Sequence, residues 1–287
     1  MSKIPEILID SLVSSSHLLL VVLGFYVVYG IMKVINMAHG DLLMLGGYFT
    51  AYFNSILGSF WLSVLIAVIL CLILGLIIER VVIRPLYSED KIMTLLATWG
   101  VSLMLIELVR LIYGPSGIFV DAPISGVYVL GTFPISRYSI FVLIVSVIIT
   151  STFGLLLGYT KFGTLLKAAI HNPWRASQFQ INIGKVYSIG FGIGAAVSGF
   201  AGAIISPISA LTPNMGIDYA FLSFLVIIAG GFRSIWSAIV GSIIVASTRT
   251  ILSSVIDSTA ATIGMLGIIL LIIFLKPGGL FEEVEST

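Results

Sequence analysis

The sequence predicts an all-α polytopic membrane protein, and three observations carry that prediction. Of the 287 residues, 59% are hydrophobic and only 9% are charged, whereas a soluble domain has about 25% charged residues. The mean hydropathy is +1.17. The apolar residues fall into runs close to the roughly 20 residues that a helix needs to cross a bilayer. These values exclude a soluble enzyme, and a net charge of +1 gives no electrostatic basis for binding nucleic acid.

The apolar runs predict a bundle of about eight or nine transmembrane segments. They cover roughly 12–32, 36–57, 60–78, 92–112, 139–159, 185–206, 218–232, 235–256 and 259–275. No small-residue cleavage site follows the first run, so it is predicted to be a retained span and not a signal peptide. The longest connections, 113–138 and 160–184, are too short for a soluble domain. Residues 1–287 are therefore predicted to form a single transmembrane domain.

Lys and Arg in short connections predict the orientation, because cytoplasmic loops carry an excess of both residues. Two connections separated by two spans hold most of them: Arg80, Arg84, Lys91, Lys161, Lys167, Arg175 and Lys185. Both connections are predicted to be cytoplasmic, and the 113–138 connection is predicted to lie outside. Counting spans from there places the N-terminus outside and the C-terminus in the cytoplasm.

Two apolar stretches, 30–50 and 214–241, are interrupted by residues that break helices or carry polar groups. These residues are Gly30, Asn36, His39, Gly40, Asp41, Gly46 and Gly47 in the first stretch, and Pro213, Gly216, Asp218, Gly230, Gly231, Arg233 and Gly241 in the second. Interrupted segments in corresponding places of two halves indicate a transport site, because non-helical backbone inside a membrane must be buried or face water. We therefore expect two pseudo-symmetric halves. The alternative is that glycine is simply frequent in membrane helices.

Asn36, His39 and Asp41 form the densest polar group on any predicted span. A charge at the centre of a bilayer costs about 2.5–3.5 kcal/mol, so its presence needs a reason. One interpretation is a solvated substrate pathway or the end of a half-helix. The other places His39 and Asp41 at the cytoplasmic interface near Lys33, and the residue types leave both open.

Other polar and small residues within spans lead to structural predictions. Glu107 and Arg110 are three residues apart and are predicted to pair on one helix face. Arg249 has no nearby carboxylate in sequence, and it either faces a polar interior or partner subunit or extends towards the outer interface. Two rows of small residues predict one helix that packs tightly inside the bundle. The rows are Gly190, Gly194, Ser198 and Gly202, and Ala195, Gly199 and Ala203.

The 162–184 connection is predicted to form two short amphipathic helices. Asn172 is a capping residue type, and Pro173 suits the first turn of the helix that follows. Leu165, Ala169, Trp174 and Phe179 provide apolar side chains to bury. Because these helices are too short to span, they either dock on a soluble partner or lie on lipid headgroups.

A motif in this connection resembles a known family. The run through Ala168, Ala169, Asn172, Ala176, Ile181 and Asn182 resembles the ATPase-docking loop of ABC importer permeases, and specifically that of the branched-chain amino acid (high-affinity Leu/Ile/Val) permease family. Further motifs of this family are matched in the expected order along the chain, before and after this connection, at 35–41, 84–86, 97–102, 229–231, 234–235, 238–241 and 276–281. The chain departs from the family pattern at Gln180, where glycine is usual, and at Arg233 and Trp236, where a small residue and proline are usual. These departures bear on the substrate more than on the fold.

The resemblance implies a permease subunit of an ATP-driven ABC importer in a prokaryotic cytoplasmic (inner) membrane, moving branched-chain or related hydrophobic amino acids into the cell. The implied partners are a sister permease subunit or a second copy, two cytoplasmic ABC ATPases and an extracytoplasmic solute-binding protein. The implied substrate pathway contains Asn36, His39, Gly40, Asp41, Thr98, Gly100, Ser102, Gly230 and Gly231. Lys167 joins the docking-loop residues Ala168, Ala169, Asn172, Ala176, Ile181 and Asn182.

Other functions compete with this interpretation. Related permeases carry urea or short amides, and an ion-coupled secondary carrier would bind a proton or cation at Asp41 or Asp218. The sequence contains no Gly-x-x-x-x-Gly-Lys-Ser/Thr phosphate loop, so ATP hydrolysis is expected in partner subunits. It also contains neither His-Glu-x-x-His nor Gly-x-Ser-x-Gly, which argues against an intramembrane enzyme. No catalytic residue, metal or cofactor is expected.

Overall fold

The computed structural model describes residues 3–32, 36–87, 89–130, 133–231, 235–276 and 279–280, and most of them are helical. Helices α1 to α5 comprise Lys3–Met32, His39–Leu57, Phe60–Ile78, Lys91–Tyr113 and Arg137–Tyr159. Helices α6 to α11 comprise Lys161–His171, Pro173–Gln178, Ile183–Ile205, Met215–Gly230, Ile235–Ser253 and Ser258–Leu275.

The described helices confirm the prediction of an all-α polytopic membrane protein. Seven of them are long and apolar enough to cross a bilayer, namely α1, α3 with the turns that follow it, α4, α5, α8, α10 and α11. Helix α2 carries polar residues, and α9 has only 16 residues. Every predicted segment coincides with a helix. The largest difference is at α1, which begins at Lys3 because Glu6 and Asp10 interrupt the apolar run without interrupting the helix.

A β-hairpin lies in the 113–138 connection, and the sequence analysis did not predict it. Strand β1 (Val127–Leu130) pairs antiparallel with β2 (Phe133–Ser136), and Val127 lies opposite Ser136. Valine, tyrosine and phenylalanine favour strands, and two residues between strands is the usual hairpin spacing. Strands this short leave no mark on a hydropathy profile of membrane spans.

The chain divides into two compact units, each built from discontinuous segments. The larger unit contains Leu23–Asp121 and Thr150–Ala220. Within it α8 packs extensively against both α2 and α3. The close approach depends on glycine, because a methyl group on Gly46 would overlap the backbone of Gly199 and one on Gly202 would overlap the carbonyl of Leu43. The prediction that the small-residue rows place this helix inside a bundle is confirmed.

The smaller unit contains Met1–Val22, Ala122–Ile149 and Phe221–Thr287. It includes the β-hairpin, and α10 packs against α11 within it. The Ser146 hydroxyl of α5 donates to the Ser16 carbonyl of α1 at 2.9 Å. The predicted pseudo-symmetry of the two halves of the chain stays a prediction.

Candidate functional site

Asn36, His39 and Asp41 are buried at the start of α2, beside Thr98 and Ser102 of α4. Their exposed fractions are 3%, 2%, 0%, 0% and 1%, respectively. The Met37 amide donates to Thr98 Oγ1 at 3.3 Å, which fixes the start of α2 against α4. We call Asn36, His39, Asp41, Thr98 and Ser102 the polar cluster. Lys33, near which the alternative places His39 and Asp41 at the cytoplasmic interface, lies outside the described residues, and both interpretations stay predictions.

Several polar atoms in this cluster lack a partner. Asn36 Nδ2, both ring nitrogens of His39 and both carboxylate oxygens of Asp41 have no hydrogen-bond partner of standard geometry among the described residues. The Ser102 hydroxyl lies close enough to the Asp41 carboxylate to interact with it. An unsatisfied buried polar group costs about 1–3 kcal/mol, and more when it is charged. Ionisable residues in this condition inside a membrane mark ion or substrate pathways.

Helix α9 begins directly against the polar cluster. A methyl group on Gly40 would overlap the Gly216 carbonyl, and one on Gly216 would overlap the Asp41 carboxylate. The carboxylate therefore lies at the first turn of α9, where the helix dipole favours negative charge. The two helices can start this close together only because residues 40 and 216 have no side chain.

The remaining predicted pathway residues have surroundings of their own. Gly100 is exposed, and a methyl group on it would meet open space, so it does not face the polar cluster. Gly230 and Gly231 end α9 in the smaller unit, where both are buried and Gly231 has a φ of +95°. That backbone conformation favours glycine. The matching motifs thus include an exposed glycine at Gly100 and glycines that end a helix at Gly230 and Gly231, in addition to residues of the polar cluster.

The other charged residues within spans have distinct surroundings. Glu107 and Arg110 form the predicted ion pair, and Arg110 also donates to Asn214 Oδ1 at 3.2 Å. Arg249 and Trp236 are exposed, and Arg233 lies outside the described residues. Within the described residues, no group of three or more His, Cys, Asp or Glu is placed to hold a metal ion.

The 162–184 connection folds as α6 and α7, as its capping residues predicted. Asn172 Oδ1 accepts from the Arg175 amide at 2.9 Å, and Pro173 occupies the first turn of α7. Asn182 Oδ1 accepts from the Lys185 amide at 3.0 Å and caps α8. Both asparagines of the docking motif therefore define where helices begin.

The apolar side chains of this connection differ in exposure. Leu165, Trp174 and Phe179 are 39%, 71% and 80% exposed, whereas Ala169 of α6 and Ala176 of α7 are 0% and 4% exposed. Of the other motif residues, Lys167, Asn172 and Asn182 are exposed and Ala168 and Ile181 are half-buried. The chain itself therefore buries the alanines and leaves Trp174 and Phe179 available to a partner or to lipid headgroups, and the choice between these two interpretations stays a prediction. Gln180, which replaces the usual glycine, has a φ of +60°.

A second buried carboxylate lies at the end of α3, and the sequence analysis did not single it out. Glu79 is 0% exposed and forms an ion pair with Arg84 at 3.1 Å. The Tyr87 hydroxyl donates to Glu79 Oε1 at 2.8 Å. Burial has the largest effect on the pKa of Tyr87 and this hydrogen bond the next largest, and both raise it. The hydroxyl therefore stays protonated and available as a donor. The signal in the sequence was an acidic residue five positions before Arg84 at the end of a span.

Comparison with known proteins gives one family and several relatives. The family described as "Branched-chain amino acid transport system / permease component" matches residues 7–275. The chain is 24% identical to the high-affinity branched-chain amino acid transport system permease protein LivH of Escherichia coli, over 93% of this chain and 92% of the relative. It is 23% identical to the corresponding protein BraD of Pseudomonas aeruginosa, over 98% and 97%. It is 26% identical to a probable branched-chain amino acid transport permease of Methanocaldococcus jannaschii, over 89% and 83%. No solved structure matches the chain.

Proposed function

Because the chain belongs to the family of permease components of branched-chain amino acid transport systems, we propose that it is the transmembrane subunit of an ATP-driven ABC importer for branched-chain amino acids. The relatives that cover nearly its whole length carry that transport function in their names. The membrane is the prokaryotic cytoplasmic (inner) membrane. The N-terminus lies outside, and the 79–91 and 160–185 connections lie in the cytoplasm.

The observation that carries this proposal is the polar cluster. A transport pathway needs polar groups that exchange their partners for the solute or for water during the cycle. Asn36, His39 and Asp41 have unpaired polar atoms at the start of α2, which supports such a role. The first turn of α9 at Gly216 adds the positive end of a helix dipole, and in transporters such helix ends bind anionic groups. The Asp41 carboxylate, which lies at this helix end, would complement the ammonium group of an amino acid.

Energy for import comes from partner subunits in this proposal. The chain has no phosphate loop of the ATPase type, whereas Trp174 of α7 and Phe179, directly after α7, are exposed. Exposed aromatic side chains on and beside a short helix are typical anchors for a partner groove. Two cytoplasmic ABC ATPases dock there, a sister permease subunit or second copy completes the pathway, and an extracytoplasmic binding protein delivers the solute.

Uptake into proteoliposomes tests the proposal and its alternatives. The tagged chain is purified from its native membranes with whatever subunits accompany it, and radiolabelled leucine, isoleucine, valine, urea and acetamide are compared. We expect ATP-dependent uptake of the branched-chain amino acids that an ionophore does not reduce. Uptake abolished by the ionophore and indifferent to ATP would instead identify an ion-coupled carrier. ATP-dependent uptake of urea or acetamide alone would support the assignment as an ABC permease and refute branched-chain amino acids as its substrate.

The docking surface has a separate test. Replacing Trp174 and Phe179 together with alanine removes the two exposed aromatic side chains without changing the buried face of α7. We expect co-purification of the ATPase subunits to be lost. Phe119→Ala is the matched control, because Phe119 is 83% exposed in the 113–138 connection predicted to lie outside. Equal recovery of ATPase with both variants would refute docking at α7.

A further inference from the structure

The end of α3 departs from α-helical geometry at the buried carboxylate. Glu79–Ile83 form a π-helical turn, and Arg84–Leu86 form a 3₁₀ turn. In an α-helix, residues five apart lie about 140° apart around the axis. The π-turn bonds the Arg84 amide to the Glu79 carbonyl, which brings both side chains to the same side. Single π-turns inside helices occur often at functional sites.

Glu79 is the centre of a dense hydrogen-bond network. Arg84 donates through Nε to Oε1 at 3.2 Å and through Nη2 to Oε2 at 3.1 Å, a two-pronged contact. Ser188 of α8 donates to Oε2 at 2.8 Å and also accepts from Arg84. With the Tyr87 hydroxyl on Oε1, the carboxylate joins the end of α3 to α8. We call Glu79, Arg84, Tyr87 and Ser188 the Glu79 network.

The Glu79 network continues to the α6–α7 segment. The rings of Tyr87 and Tyr187 meet edge to face with centroids 5.3 Å apart. The Tyr187 hydroxyl donates to the Ala169 carbonyl of α6 at 3.2 Å. A cavity of about 340 Å³ lies beside these tyrosines, lined by Lys91, Pro173 and other residues. The tyrosine pair therefore connects α6 to the Glu79 network, and α7 borders the adjacent cavity through Pro173.

The π-turn also contacts the apolar core next to the polar cluster. Ile83 is 0% exposed and belongs to the same apolar core group as Leu42 and Phe191. Leu42 follows Asp41 directly in α2. A displacement of the π-turn would therefore be transmitted through close-packed side chains to the polar cluster, since protein interiors have little free volume.

We propose that Glu79 is a positioning residue that couples the α6–α7 segment to the polar cluster during transport. The inference rests on the proposed function, because it presupposes that an ATPase moves α6 and α7. Movement of α6 pulls on Tyr187 and Tyr87, the Glu79 network transfers it to the π-turn, and Ile83 transfers it to α2. Arg84 neutralises the carboxylate while its side chain remains 39% exposed, so the charge pair extends from the apolar interior to water.

The test uses Glu79→Gln, Tyr87→Phe and Tyr187→Phe in the assembled transporter. Each change keeps the shape of the side chain and removes part of the connection. Tyr159→Phe is the control, because Tyr159 is 88% exposed at the end of α5. Three quantities are measured for each: co-purified ATPase, ATP hydrolysis, and uptake of the solute that the wild type transports best among leucine, isoleucine, valine, urea and acetamide.

We expect ATPase association to persist while solute moved per ATP hydrolysed falls by roughly 2- to 30-fold, the range for mutations along a coupling network. Tyr159→Phe should leave that ratio unchanged. If Glu79→Gln does not yield folded protein, the Tyr87→Phe and Tyr187→Phe variants test the inference. An unchanged ratio in the folded variants, or equal losses of hydrolysis and uptake, would overturn the inference and leave the proposed function intact. A wild type without ATPase association or ATP-dependent uptake would overturn both.

Discussion

The contact between α2 and α8 permits a quantitative prediction at Gly202. A methyl carbon there would lie well inside the 3.0 Å at which contacts with an atom such as the Leu43 carbonyl oxygen start, and both groups belong to helix backbone, so the helices must move apart. A gap of even about 0.5–1 Å forfeits roughly a quarter to a half of the dispersion energy across the contact. Adding a methyl group to a packed interior costs about 1–3 kcal/mol. Alanine restores about 1 kcal/mol of helix propensity relative to glycine.

Gly267→Ala isolates the propensity term, because a methyl group at that position in α11 meets open space. The propensity gain is common to both variants and cancels, so they should differ in stability by about 1–3 kcal/mol, with Gly202→Ala the less stable. At about 2–4 °C per kcal/mol, the apparent melting temperature of Gly202→Ala should be lower by roughly 2–12 °C. Fluorescence-detected thermal unfolding of the two purified variants measures the difference. A melting temperature of Gly202→Ala equal to or above that of Gly267→Ala would refute the close-packing argument.

Two further predictions concern the polar cluster and α7. Asp41→Asn removes an ionisable group that has no partner of standard geometry while keeping its shape, so the apparent melting temperature should rise and uptake should fall. Asp218→Asn, at an exposed position, is the control, and a more stable variant with full uptake would contradict a transport role. Asn172→Ala removes the cap of α7 at a cost of about 1 kcal/mol, so amide hydrogen exchange should accelerate at Ala176 and Phe179. Unchanged exchange there would show that the cap is dispensable.

Local features were predictable because their causes lie in neighbouring residues. The apolar runs predicted the helices, and Asn172 with Pro173 predicted the start of α7. The small residues at 194, 198 and 202 predicted close packing of α8, since their spacing places them on one helix face. These inferences need only helical periodicity and the chemistry of a capping side chain.

Contacts between distant residues were not predictable in the same way. The sequence offered Ala169, Trp174 and Phe179 alike as side chains to bury, and only the structure showed that the chain covers Ala169 and leaves the two aromatic residues exposed. The Glu79 network joins residues 79 and 188, and Tyr187 reaches residue 169. Gly100 belongs to a matching motif yet faces away from the polar cluster. The spacing of residues in the sequence does not reveal which distant residues are in contact or which side chains the fold covers.

The sequence by itself determined that the chain is a helical membrane protein, where its helices lie, and which family it resembles. Hydropathy, charge and capping act over one or a few helical turns, and the order of motifs is a property of the chain. The tertiary structure alone decided that Asp41 is buried at the first turn of α9 with Ser102 beside it, and that Glu79 is buried with several donors around it. The physical reason is that the cost of burying a carboxylate depends on the donors around it. Packing brings those donors from elements that are remote in the chain.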